Sequence, residues 1–178
     1  MIAKQLINLL QSEIMIAIAA VQCAGTFKQY DNGYSCLEVV DNFAYIAESI
    51  LHPFGFTVSP SVAEGRAPGS HISIQTRKEL KKLRKNKTAQ IAARWTGIGE
   101  TINHSNSFSF NNEYSLDMDF EIEGASFHLH KSKKDDSLKI VCCLDLSSDK
   151  IRMIRQELGL RSDDRGYDMH LTLCELIL

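Results

Sequence analysis

Apolar residues recur along this chain with two different periods, and the change of period divides it into helices and strands. Ile2, Leu6, Leu9 and Leu10 stand at helical spacing among polar residues, which predicts a helix over 2–12. The apolar run Ile14 to Val21 either continues that helix or begins a buried strand. Gly25 and Gln29-Tyr30-Asp31-Asn32-Gly33 read as a loop, since Asn-Gly tolerates the positive φ of a turn. A second helix is expected from about Leu37 to Leu51, with Val40, Phe43, Ala44, Ala47, Ile50 and Leu51 on its buried stripe and Pro53 as its stop. Residues 1–60 thus read as a helical N-terminal part. Phe54 to Val58 is a short strand, and Pro60 to Gly69 a loop. Thr76, with Glu79 three residues on, has the spacing of a capping box and opens a helix over Arg77 to Lys85.

Beyond Trp95 the period shortens to two. Strands are expected at Ser107 to Phe110, Leu116 to Ile122, Ala125 to His130 and Leu138 to Leu146, with turns at Asn111-Asn112, Glu123-Gly124 and Lys133 to Asp136. This pattern reads as an antiparallel meander. Ser147 or Ser148 then caps a helix over Asp149 to Leu158 with Ile151, Ile154 and Leu158 buried and Gly159 as its stop. After the loop Arg161 to Gly166, Tyr167 to Cys174 alternates as a half-buried strand.

Composition narrows the class. The 178 residues, 44% hydrophobic and 24% charged, suit one domain over 1–178 with a substantial core. A net charge of −2 argues against bulk DNA binding, so a nucleic-acid partner would be small or locally held. The run Arg77-Lys78-Glu79-Leu80-Lys81-Lys82-Leu83-Arg84-Lys85 is the only dense charge run and reads first as a solvated helix face, second as an attractor of an anionic substrate. Five cysteines without a CxxC pair fit a reducing setting, and eight apolar residues after Glu13 are too few to span a bilayer or form a good export signal; no membrane association and a cytoplasmic location are expected.

The chemistry lies in the two strands that carry a histidine and a hydroxyl on one face. Ser70-His71-Ile72-Ser73-Ile74 and Met169-His170-Leu171-Thr172-Leu173 each set His and Ser/Thr opposite two apolar residues. Two imidazoles across a cleft suit general acid-base catalysis near neutral pH, one accepting a proton while the other gives one. Ser73 and Thr172 would donate to the non-bridging oxygens of a phosphate. This division of labour fits attack on a phosphodiester without a metal or a nucleophilic side chain.

On these residues the chain resembles the 2H phosphoesterase superfamily, with its two His-x-Ser/Thr motifs. The likeness is most specific from Leu138 onward, where strand, helix, Leu158-Gly159-Leu160 stop and motif strand follow in the family's order. The N-terminal sixty residues are longer and more helical than the family's opening strand. The resemblance implies an α+β, two-lobed, pseudo-symmetric fold with antiparallel sheets, flanking helices and a central cleft. It implies no cofactor, and a small nucleotide or oligonucleotide substrate: a 2',3'-cyclic phosphate, a 2'-5' oligoadenylate or a cyclic oligonucleotide. His71 and His170 would be the acid-base pair. The alternative is a nucleotide-binding or interaction module that keeps the fold without turnover.

Further contacts are weaker. Trp95, Tyr30, Tyr34 and Tyr167 could stack on a base, with Trp95 the better core residue and Tyr167 closest to a motif. Arg66, Arg94 and Arg165 could clamp a phosphate. His128 and His130, joined by His104, could be drawn as a metal site, but surface strand positions are the default and no metal is expected. Cys142 and Cys143 point to opposite faces of one strand, so at most one could join a site.

Overall fold

The computed structural model describes residues 2–21, 23, 25–29, 34–39, 42–64, 69–82, 113–116, 120–131, 136–157, 160 and 169–178. In chain order the elements are α1 (Ile2–Ile18), β1 (Gly25–Gln29), β2 (Ser35–Val39), α2 (Asn42–Leu51), a 3-10 turn (His52–Phe54), β3 (Thr57–Val58), α3 (Pro60–Ala63), β4 (His71–Gln75), α4 (Arg77–Lys82), β5 (Glu113–Leu116), β6 (Glu121–Lys131), β7 (Leu138–Ser147), α5 (Asp149–Glu157) and β8 (His170–Ile177). The class is α+β. One eight-stranded sheet runs in the order β5-β1-β2-β4-β8-β7-β6, with β3 added beside β8, and its strand pairs are antiparallel.

The arrangement hairpin, helix, strand occurs twice: β1-β2, α2, β4 and then β6-β7, α5, β8. The two sets meet through β4 and β8, the central neighbours of the sheet, where Ile72 pairs with Leu171. Each strand there alternates. Ile72, Ile74, Leu171 and Leu173 are completely buried, whereas His71, Ser73 and Thr172 are half-buried and His170 is exposed. One face of the sheet is therefore core and the other is open.

The core face is covered by helices. α1 continues through the apolar run to Ile18, and Ile14 and Ile18, one turn apart, bury there while Gln11 Nε2 donates to Ala125 O of β6 at 2.7 Å. α2 buries Phe43, Ala44, Ala47 and Leu51, an i, i+1, i+4, i+8 stripe, and packs on β8, where Cys174 Sγ donates to Ala44 O at 3.5 Å. Full burial of Phe43 or Leu51 contributes about 1.5–3 kcal/mol each. Both Leu173 and Cys174 face this side because the β7–β8 register shifts between Cys142 and Cys143, which leaves two successive β8 residues inward.

Several expectations are corrected. The helix expected from Leu37 begins at Asn42, because Ser35–Val39 is a strand held on both sides, by β1 and by β4; Gly25–Gln29, expected as loop, is its hairpin partner. The first sixty residues are accordingly not helical throughout. With Cys36, Leu37 and Val39 all buried, β2 is apolar on both faces and shows no two-residue alternation, so its residues merge into the helical stripe that follows. Gly25 is required by proximity, since a Cβ there would lie 2.6 Å from Leu37 Cγ. Glu123-Gly124 is no turn: β6 runs straight through it with a register shift between Ile122 and Gly124, a bulge. The strands from β5 onward are no simple meander either, for β5 pairs with β1 at the far edge, and the strand expected over Leu116 to Ile122 is divided between β5 and β6.

Other elements stand where the pattern puts them. Thr76 and Glu79 form the capping box: Thr76 N and Oγ1 donate to Glu79 Oε2 at 2.8 and 3.0 Å, and Glu79 N donates to Thr76 Oγ1 at 3.2 Å. Ser148 caps α5 through Ile151 N to its Oγ at 3.3 Å. The loop over Pro60 to Gly69 contains the short helix α3. The expected strand Ser107 to Phe110 lies outside the described residues. Among the described residues no helix is long and apolar enough to cross a membrane.

Candidate active site

His71, Ser73, His170 and Thr172 share the open face at the centre of the sheet. Ile72 and Leu171 are register partners in an antiparallel pair, and the residues on either side of them, His71 and Ser73 on β4 and His170 and Thr172 on β8, alternate away from the core. The two motifs are 99 residues apart in sequence and adjacent in space because β4 and β8 are neighbours.

The first motif sits in a network of local contacts. His71 Nδ1 is 2.8 Å from Gly69 O; a carbonyl only accepts, so Nδ1 carries the proton and, in the neutral ring, Nε2 holds the lone pair. Gly69 is itself anchored, its N–H donating to Glu38 Oε1 at 3.1 Å, and Glu38 is paired with Lys28 one strand further out. Tyr34 stands edge-on to His71, ring centroids 6.0 Å apart at 86°, and its hydroxyl lies 2.9 Å from Ser73 Oγ. Beneath Ser73 in the register is Cys36, a thiol that burial, reinforced by the Glu38 charge, pushes up to about 12. It remains a neutral wall rather than a nucleophile.

The second motif opens onto a cavity of about 340 Å³ lined by His170, Thr172, Cys143, Val141, Lys139 and, from β6, His128, Leu129 and His130. Asp145 is the register partner of His170. Ser126 Oγ donates to Asp145 Oδ1 at 2.7 Å and lies 2.8 Å from His128 Nε2. A hydroxyl has one proton; with that proton committed to the carboxylate, His128 Nε2–H is the donor to Ser126. The result is a chain of oriented donors, His128 to Ser126 to Asp145, ending beside His170. Cys143 Sγ lies 3.9 Å from Thr172 Oγ1, while Cys142, on the opposite face, is buried and its thiol is pushed well above its ordinary value by that burial and by the neighbouring Cys174 and Cys143.

The four motif residues stand on neighbouring strands of one sheet rather than across a cleft, and the cavity takes in His170 and Thr172 but not His71 or Ser73. Tyr34, considered earlier only as a stacking partner, belongs beside His71 and Ser73. Tyr167, Arg66, Arg165 and Trp95, and with them Tyr30, Arg94 and His104, lie outside the described residues. Asp145, Ser126 and Lys139 were missed; the signal that could have found them is their alternation along β6 and β7 in phase with His128, which becomes readable only once the hairpin register is known. Among the described residues no three His, Cys, Asp or Glu side chains converge as metal ligands, so His128 and His130 form no cluster with a third donor there. Arg155, from α5, lies behind the site. It is fully buried and donates Nη1–H to Ile74 O and Nη2–H to Glu79 Oε1, joining the helix of the second set to the end of the first motif strand.

Set against protein-family models, characterised proteins and solved structures, the chain matches none of them.

Proposed function

We propose that this chain is a metal-independent phosphodiesterase of the 2H type, acting on RNA-type phosphodiesters through His71 and His170. The observation that carries the reading is the Ile72–Leu171 pairing, which places two His-x-Ser/Thr motifs side by side on one open face. The strand order supports the finer fold assignment: β1-β2-β4 and β6-β7-β8 enter the sheet in mirrored order about the β4–β8 boundary, as a two-lobed, pseudo-symmetric 2H-like domain requires.

The chemistry starts from the proton that the Gly69 carbonyl fixes on His71. His71, with Nδ1–H held by Gly69 O, presents Nε2 as the base that takes a proton from an attacking water or 2'-hydroxyl. His170 then gives a proton to the leaving oxygen. The Tyr34 hydroxyl, 2.9 Å from Ser73 Oγ, holds that hydroxyl in place to donate to a non-bridging phosphate oxygen, and Thr172 donates from the other strand. Charge that builds on the phosphate meets donors from both strands.

The test is turnover of 2',3'-cyclic mononucleotides, 2'-5' oligoadenylate and cyclic di- and trinucleotides in excess EDTA. We expect EDTA-resistant cleavage that falls by about 10²–10⁴ in His71→Ala and in His170→Ala, with unchanged circular dichroism. Activity retained in both variants refutes the mechanism. Tight binding of a nucleotide without cleavage favours instead a nucleotide-binding module on the same scaffold.

A further inference from the structure

We propose that the cavity along the β6–β7 hairpin is a subsite for one nucleotide unit of the substrate, with His130 and Lys139 receiving a second phosphate beyond the scissile one. This inference rests on the phosphodiesterase reading and narrows its substrate class to an oligonucleotide rather than a cyclic mononucleotide. The hairpin register builds the cavity in three rungs on the open face. At the inner rung Cys143 pairs with Thr172, at the middle rung His128 pairs with Val141, and at the outer rung His130 pairs with Lys139.

The chemistry changes along those rungs. The inner one holds the hydroxyl that meets the scissile phosphate. The middle one is an apolar floor, Val141, beside the His128 imidazole, whose ring orientation is fixed by its bond to Ser126. That combination suits the flat, half-polar body of a nucleoside. The outer rung has two nitrogen-bearing side chains. Lys139 is paired with Glu175, but an ammonium has three N–H groups and that pairing uses one. The imidazole of His130 stands exposed next to it. From Cys143 to Lys139 is four residues, about 13 Å along a strand, long enough to seat a nucleoside between two phosphates.

Lys139→Ala would strip the partner from nearly buried Glu175, so His130 is the position to change. His130→Ala and His130→Glu act on an exposed side chain outside the acid-base pair. The probes are a dinucleoside monophosphate and the same dinucleotide carrying an added phosphate at its 5' or its 3' end, in the linkage the protein cleaves. In the wild type we expect the added phosphate at one of these ends to lower KM about 10- to 100-fold with kcat little changed, the worth of a charge-assisted phosphate contact. In His130→Glu that advantage disappears, and the KM values of the probes with and without the added phosphate converge. The subsite is overturned if neither added phosphate gains anything in the wild type, or if His130→Glu weakens both probes equally. Should no phosphodiester be cleaved at all, the phosphodiesterase reading fails by itself, and calorimetric binding of the same probes to wild type and His130→Glu decides the subsite on the same difference.

Discussion

Replacing Arg155 by Met removes a side chain that bonds both the end of the first motif strand and the helix after it. Its guanidinium is completely buried and supplies the Ile74 carbonyl and the Glu79 carboxylate with donors. Met matches Arg in helix propensity and fills most of the stem's space, so the change isolates the lost donors. Removing one partner of a buried ion pair costs about 3–5 kcal/mol. Glu79 retains 22% side-chain exposure and can be rehydrated in part, which places the expected loss at about 3 kcal/mol at pH 7. For a chain of this size that is ~6–12 °C in Tm. Thermal unfolding and urea titration of Arg155→Met, Glu79→Gln and the double variant measure it, and the second Arg155 substitution should cost less once Glu79 is Gln. The pH dependence has a definite sign. Burial raises the Glu79 carboxyl, but the Arg155 hydrogen bond, the Thr76 N–H, the guanidinium charge and the Thr76 hydroxyl together hold it below its ordinary 4.5. A carboxyl depressed in the folded state stabilises the fold fully above its unfolded value and loses that contribution as pH falls through the folded one. The gap between wild type and Arg155→Met should be full at pH 7 and shrink as pH drops below about 4.5. A loss under about 1 kcal/mol, or a loss equal in the Glu79→Gln background, refutes the claim that Arg155 holds α5 to the motif strand.

Further outcomes are as definite. Tyr34→Phe deletes the hydroxyl beside Ser73 and keeps the ring against His71, so kcat should fall about 3- to 10-fold with the fold intact; no change in kcat would remove Tyr34 from the site. Asp145→Asn breaks the charged end of the donor chain next to His170 and should lower kcat about tenfold while leaving KM near the wild-type value, whereas a KM effect alone would make Asp145 a binding group. Burial pushes the Cys36 and Cys174 thiols up to about 12 and raises Cys142 as well, so in the folded protein at pH 8 a thiol reagent should label Cys23 promptly and Cys36, Cys142 and Cys174 only on unfolding; prompt labelling of any of those three contradicts this packing.

The motif strands were legible because each is half-buried. His71-Ile72-Ser73-Ile74 and His170-Leu171-Thr172-Leu173 must alternate wherever one face is core, and alternation is what sequence displays most directly. α2, apart from its start, and α5 were legible for the related reason that a one-sided helix repeats its apolar stripe, and the Thr76–Glu79 box because capping is local. β2 was not, for Cys36, Leu37 and Val39 are all buried and a strand buried on both faces has lost its period. β1 was hidden by Gly25, which reads as a loop residue until the neighbouring Leu37 shows why a Cβ is excluded. Gly124 misled in the same way, as a bulge and a turn favour the same residue.

Arg155 shows a different limit. In sequence it is a cation one turn from Ile151, at the edge of the apolar stripe, and nothing there shows the partners 76 and 81 residues away that accompany its complete burial. Its position also links two properties of the site. Ile74, whose carbonyl it binds, follows Ser73, so the second set's helix holds the strand from which the first set's hydroxyl projects. α2 crosses in the opposite sense: it follows β2 of the first set and packs against β8, the strand of His170 and Thr172. Each motif strand is therefore held in part by the helix of the other set, β4 through the Arg155 hydrogen bond to Ile74 O and β8 through the packing of α2. The proposed two-histidine reaction would use such an arrangement, because a base on β4 and an acid on β8 would have to keep one separation through proton transfers at both ends of a single phosphate.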